Sequence, residues 1–182
     1  MVKLGDSQIW ILINNSKTTP KQLKVHSLSK REIHDITNQI DISWPKNSFP
    51  PIKSIQAYVI DEKKRLLVGN NLVAIQLAAD LIIPHLTQHE ILNHFASVQV
   101  DMNAVKFVCN GANIMRPGIT DFSTFKESEI VLVKDQTHKK ELAVCISLVD
   151  DENGRKMEKG IILNNIHHIG DMYWEMKKTI RT

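Results

Sequence analysis

The residues of this chain best placed to hold a ligand lie in one stretch, Val105-Lys106-Phe107-Val108-Cys109-Asn110-Gly111-Ala112-Asn113-Ile114-Met115-Arg116-Pro117-Gly118-Ile119. Residues 105–109 read as a short buried strand. Asn110 has the chemistry of a helix cap and Pro117 stops anything helical at about Arg116, so the helix that follows is expected to be one or two turns long. Gly111 adds no side chain at the mouth of that turn. Another backbone could come close there, and the free amides of a helix start favour a phosphate. Arg116 stands beside the turn, where a guanidinium reaches a phosphate or stacks on a base; a solvent-exposed arginine is the alternative. Strand alternation lets Lys106 face either way, and Met115 is expected to pack inward. Spacing alone leaves a ligand-free tight turn open beside a nucleotide-docking edge.

The other clusters of reactive side chains lead away from catalysis. His85, His89 and His94 surround Glu90, but a zinc-binding helix needs histidines at i and i+4. His89 and His94 are five apart, about 140° around a helix. His167 and His168 are adjacent, so in an extended segment one faces inward and one outward, and they do not chelate together. The outward one is free to stack on or hydrogen-bond a nucleotide. Asp150, Asp151 and Glu152 read as a solvated turn. No nucleotide-binding glycine loop, nucleophile elbow or catalytic cysteine-histidine pair is present in the sequence, so no catalytic residue, metal ligand or cofactor is assigned.

These residues need a scaffold, and the chain is long enough for two small domains. It has 182 residues, 42% hydrophobic and 24% charged, within the globular range. The net charge of +3 is unevenly shared: residues 1–97 hold 11 Lys and Arg against 8 Asp and Glu, whereas residues 98–182 hold 12 of each. A sequence-independent grip on many phosphates needs a basic excess that the second half lacks, so binding there is expected to rest on a local patch or on shape. Two lone cysteines, no secretory signal and no long apolar segment point to a cytoplasmic chain without a membrane partner.

Ser29 and Glu32 predict a capping box, with Leu28 and Ile33 as staple, for a helix over 30–41 that buries Ile33, Ile36 and Ile40 and ends at Trp44-Pro45. Residues 55–60 and 65–68 predict a hairpin turned at 61–64, and 72–77 a further strand. Thr87 and Glu90 repeat the capping box for a helix over 88–96. Strands are expected at 98–100, 105–109, 130–134, 141–148, 160–165 and 174–177, with Asn153-Gly154 as a hairpin turn. Residues 1–20 hold one strand candidate at 8–13.

Residues 111–119 resemble the signature of the PUA domain, named for pseudouridine synthases and archaeosine transglycosylases. Lys159-Gly160-Ile161-Ile162-Leu163-Asn164-Asn165-Ile166-His167-His168-Ile169-Gly170-Asp171 is similar to the last strands of that domain. Residues 100–105 before it and Tyr173-Trp174 after it fit the malignant T-cell-amplified-sequence type of translation-associated protein and its archaeal relatives. The similarity covers residues 21–178. Asn103 stands where the family pattern has a glycine, which leaves the turn shape there open. The resemblance implies an α+β chain: an extension over 1–20, a small N-terminal α/β domain over 21–97, and a PUA-type β pseudo-barrel with one short helix over 98–182. It further implies a non-enzymatic RNA-binding protein acting in initiation or ribosome recycling. Its RNA-facing residues would be Lys106, Asn110, Gly111, Ala112, Asn113, Arg116, Pro117, Gly118, Asn165, His167 and His168. The implied partners are tRNA or small-subunit rRNA, the small ribosomal subunit, and a SUI1-type protein supplied in trans. The alternatives are an accessory module or small enzyme of tRNA or rRNA modification, and a barrel that no longer binds RNA.

Overall fold

A computed structural model describes residues 24–180; the extension over 1–20 and its strand candidate lie outside the described residues. Helix α1 (Lys30–Ser43) starts at the expected capping box, in which the Ser29 hydroxyl accepts the Glu32 amide and the Glu32 carboxylate accepts the Ser29 amide at 2.8 Å. Ile36 and Ile40 are buried, Ile33 packs against the same core, and Trp44 ends the helix by donating its indole N–H to the Ile82 carbonyl at 2.8 Å. Five strands, β1 (Lys24–Ser27), β2 (Ile55–Val59), β3 (Arg65–Gly69), β4 (Val73–Ala78) and β5 (Leu81–Pro84), form an antiparallel sheet in chain order. The β2–β3 hairpin closes as expected, with the Asp61 carboxylate accepting the amides of Lys63 and Lys64.

The helix expected over 88–96 is only α2 (His89–Leu92). Gln88, not Thr87, stands at its N-cap, and the Gln88 side-chain oxygen takes the Val73 amide at 3.1 Å instead of capping. The chain then leaves as strand β6 (Ala96–Val100). A division at residue 97 would cut this strand, since Ala96 and Ser97 already pair with Val131 and Leu132.

The second sheet adds β7 (Ile114–Met115), β8 (Ile119–Phe122), β9 (Ile130–Asp135), β10 (Glu141–Ser147) and β11 (Ile161–His168) to β6, in the order β7-β11-β10-β9-β6-β8. Its β6–β9 pair is parallel and its other pairs are antiparallel. A single 3-10 turn, Arg116–Gly118, links the two edge strands β7 and β8, so the sheet curls into a nearly closed barrel that removes most of its open edge.

Three further segments differ from expectation, each because a carboxylate caps a helix. Residues 105–108 belong to α3 (Met102–Val108), with Cys109 as its C-cap, and the N-cap Asp101 accepts the amides of Asn103 and Ala104 at 2.8 and 3.0 Å. Asn103 is thus an ordinary helical residue and needs no glycine. The Asn153-Gly154 pair lies inside α4 (Asp151–Lys156), capped by Asp150. Gly154 serves packing there, since a Cβ would come 3.2 Å from the Phe122 ring. Residues 174–177 lie in α5 (Met172–Thr179), capped by Asp171.

Two cores result. One fills the barrel with Val98, Val131, Val133, Ala143, Cys145 and Ile162. The other joins α1 and the first sheet to Ile130, Leu132 and Val144 of the barrel and to Tyr173, Met176 and Ile180 at the end of the chain. Because that core is shared, Leu132→Ala is expected to cost about 2–5 kcal/mol and to lower one common unfolding midpoint in far-UV circular dichroism and tryptophan fluorescence. Separate midpoints would show that the two sheets unfold independently.

Candidate functional site

The stretch around Gly111 is built in the reverse sense to the sequence expectation. Gly111 follows a helix. Its φ of +84° places it in the left-handed region that closes a helix C-terminus. The amides of Asn110, Gly111 and Ala112 donate to carbonyls of Phe107, Val108 and Phe107 at 3.0–3.1 Å, so none is free for a phosphate. At the other end of α3 the Asp101 carboxylate occupies the first amides. Neither end of the helix can act as an anion site.

An apolar pocket takes that place. It lies between α3 and β7, has a volume of about 260 Å³, and is lined by Val100, Ala104, Phe107, Val108, Ile114 and Met115, with Ala112, Asn113 and Gly118 at its edge. Phe107 is 63% exposed and Met115 48% exposed. Met115 therefore does not pack inward, and both side chains offer unpaired apolar surface. Read as a helix, residues 102–108 bring Ala104, Phe107 and Val108 onto one face, the face that lines the pocket.

Asn165 holds the turn. Its side-chain NH2 donates to the Val108 and Ala112 carbonyls at 3.0 Å each, and its backbone amide donates to Asn113 Oδ1 at 3.0 Å. Asn113, whose Oδ1 takes that amide, is itself one of the residues that line the pocket. Arg116 is half-buried: its guanidinium donates to the Ile119 and Arg155 carbonyls and lies 5.3 Å from the Phe122 ring centroid. Gly118 accepts the Asp101 amide through its carbonyl and backs onto Ala104. Pro117 is exposed within the 3-10 turn, and Lys106 is exposed on α3 beside Phe107.

The two adjacent histidines part as expected, but the buried one belongs to a different structure. His167 is fully buried and is withdrawn from the RNA-facing set. Its Nε2 accepts the Leu86 amide at 3.2 Å and its Nδ1–H donates to Asp171 at 2.7 Å. Against it, at 4.6 Å between ring centroids, lies the buried His85, whose Nδ1 accepts the Thr87 amide and whose Nε2–H donates to the Tyr173 carbonyl at 3.3 Å. Backbone amides thus fix both tautomers. Burial, with the neighbouring His167, pushes the His85 pKa down to about 3. Burial pulls the Asp171 carboxyl up, but hydrogen bonds from His167 and from the Trp174 and His168 amides outweigh it and hold the group below the usual range. His168 is half-buried beside the glycine turn, where its Nε2 would stand 2.9 Å from a Cβ on Gly111. That contact and the positive φ explain the glycine.

His89 Nδ1 lies 3.3 Å from Glu141 of β10. Among the described residues no group of three or more His, Cys, Asp or Glu side chains is arranged to hold a metal ion, and no helix is long and apolar enough to cross a membrane.

Residues 96–169 match the PUA domain. An uncharacterized protein of Methanocaldococcus jannaschii is 30% identical over 160 residues, spanning 85% of this chain and 97% of its own length. Translation machinery-associated protein 20 of Saccharomyces cerevisiae is 30% identical over 147 residues, 76% of this chain and 78% of the yeast protein. The crystal structure of a hypothetical protein from Pyrococcus horikoshii superposes with a TM-score of 0.71 at 25% identity, covering 84% of this chain and 99% of that one. The barrel is a PUA domain, preceded by a second small sheet. The chain belongs to the family that includes translation machinery-associated protein 20, the malignant T-cell-amplified-sequence proteins and their archaeal relatives.

Two outcomes follow from this geometry. Gly111→Ala should destabilise the chain by more than about 1 kcal/mol in urea unfolding, because the positive φ and the His168 ring both oppose a Cβ. The second concerns pH. His85 ionises near 6.5 when unfolded and near 3 when folded, so its contribution is complete above pH 6.5 and is lost as the pH falls toward 3. Stability should drop by up to about 1.4 kcal/mol per pH unit in that window. The decline between pH 6.5 and 4.5 should flatten in His85→Gln.

Proposed function

We propose that this protein is a non-enzymatic RNA-binding protein of the translation machinery that docks an unstacked nucleotide at an RNA end in the α3–β7 pocket. The observation that carries the reading is the apolar pocket itself, rimmed by the exposed Phe107 and Met115 and edged by the Asn113 amide. Proteins read single-stranded RNA by stacking bases on aromatic side chains and by hydrogen bonds to base edges, and this pocket has one group of each kind. The equal numbers of acidic and basic residues after residue 97 support recognition by shape over a general phosphate grip. Lys106, beside Phe107, is the cation best placed for the adjoining phosphate.

The RNA fitting this reading is a tRNA or small-subunit rRNA. Weak docking by one pocket needs a second contact for useful occupancy, because linking two weak contacts multiplies affinity. We assign that contact to the N-terminal sheet and its surroundings, toward the small ribosomal subunit, with a SUI1-type protein in trans as the accompanying partner. Initiation and recycling are the stages that bring these components together.

The test compares an RNA hairpin bearing a single-stranded 3′ overhang with its blunt counterpart by fluorescence anisotropy. The overhang should bind more tightly, with a shallow salt dependence, and Phe107→Ala should weaken it by about 1–3 kcal/mol. Equal binding of the blunt hairpin, or indifference to Phe107→Ala, overturns the assignment. The intact chain should also cosediment with purified small subunits.

A further inference from the structure

We propose that Asp171 is a positioning residue for RNA docking, a single carboxylate that ties the glycine turn to the N-terminal sheet. The inference rests on the reading of the α3–β7 edge as the RNA site. Asp171 Oδ2 accepts the Nδ1–H of His167 at 2.7 Å and the backbone amide of His168 at 3.0 Å, while Oδ1 accepts the Trp174 amide at 2.8 Å. Two of those donors sit on adjacent residues at the end of β11 and the third at the start of α5, and each leads to a different neighbour. His167 holds the Leu86 amide just after β5, at the edge of the first sheet. His168 stands against Gly111. The Trp174 amide opens α5, whose Tyr173 and Met176 complete the shared core and whose Tyr173 carbonyl takes His85.

The arrangement fixes the end of β11 from both sides. The His168 ring donates through Nδ1 to the Ile169 carbonyl at 3.0 Å, leaving Nε2 toward the turn, and its backbone is held by Asp171. The turn's other support, Asn165, lies three residues earlier on the same strand. β11 therefore carries both props of the turn, and Asp171 anchors its end. Asp171 itself does not line the pocket. Its carboxyl remains ionised, because burial is outweighed by the three bonds it accepts. A shift of the N-terminal sheet would pass through Leu86, His167 and Asp171 to His168 and the turn.

Asp171→Ser separates this tie from simple helix capping. A serine retains an N-cap oxygen for α5 but is too short to reach His167 and His168. With the hairpin bearing a 3′ overhang as probe and the intact chain as protein, Asp171→Ser should lower affinity roughly fivefold or more. In the double variant with His168→Ala the losses should not multiply, because both remove the same support. The Gly111 amide should shift in a ¹⁵N correlation spectrum of Asp171→Ser. Asp171→Asn, whose one side-chain oxygen keeps the cap while its NH2 cannot accept from His167 or His168, supplies the measurement in a folded chain if the serine variant does not fold. The proposal is overturned if the folded variants bind within twofold of the wild type with an unmoved Gly111 amide, or if the Asp171 and His168 losses multiply. Failure of the wild type to prefer the overhang sinks the RNA reading instead, and the Gly111 shift then still decides whether the tie exists.

Discussion

Everything in this molecule is arranged around two strands that have no solvent face. In β9, Ile130 and Leu132 point into the core shared with the first sheet while Val131 and Val133 fill the barrel. In β10, Val144 enters the shared core and Ala143 and Cys145 enter the barrel. The period-2 alternation of a strand delivers side chains to both sides, and here both sides are apolar. A barrel alone would have left one of these faces wet. The first sheet and α5 cover it, so the pocket is carried on a rigid middle layer and its supports reach toward both halves.

Elements whose information is local were legible in the sequence. The Ser29 and Glu32 pair, the Asp61 turn and the alternating runs of β2 and β3 each declare themselves within a few residues. Three segments that differ share another property: each begins with an aspartate cap followed by residues whose composition reads as strand or turn. Val105, Phe107, Val108 and Cys109 look like a buried strand, yet Asp101 starts a helix that packs Ala104 and Val108 inward. Trp174 to Lys177 has the composition of a last strand, whereas Asp171 caps a helix whose Tyr173 and Met176, with Ile180 beyond it, recur at helical spacing in the shared core. Asn153-Gly154 has the composition of a hairpin turn, and only the nearness of Phe122, a tertiary fact, explains the glycine.

The same limit applies to the site. The segment that forms the candidate site stands out in the sequence, but its chemistry does not, because the direction of α3 decides whether free amides or a closed helix end face outward. With the amides engaged and Arg116 held by carbonyls and Phe122, what remains is apolar shape, an aromatic ring and one amide. His167 was misplaced for a related reason. Adjacent histidines on a strand must diverge, but which of them lies between the two sheets depends on Leu86 and His85, more than 80 residues earlier.

The shared core also has a temporal side. A ribosome releases this chain from its N-terminus, yet the first sheet is completed by β9, β10 and finally by Tyr173, Met176 and Ile180. Until those late segments emerge, part of its apolar face has nothing to lie against, and such exposed surface is what invites misassembly in nascent chains. The chain is thereby a demanding product of translation, settling into its final form only when its last helix is made.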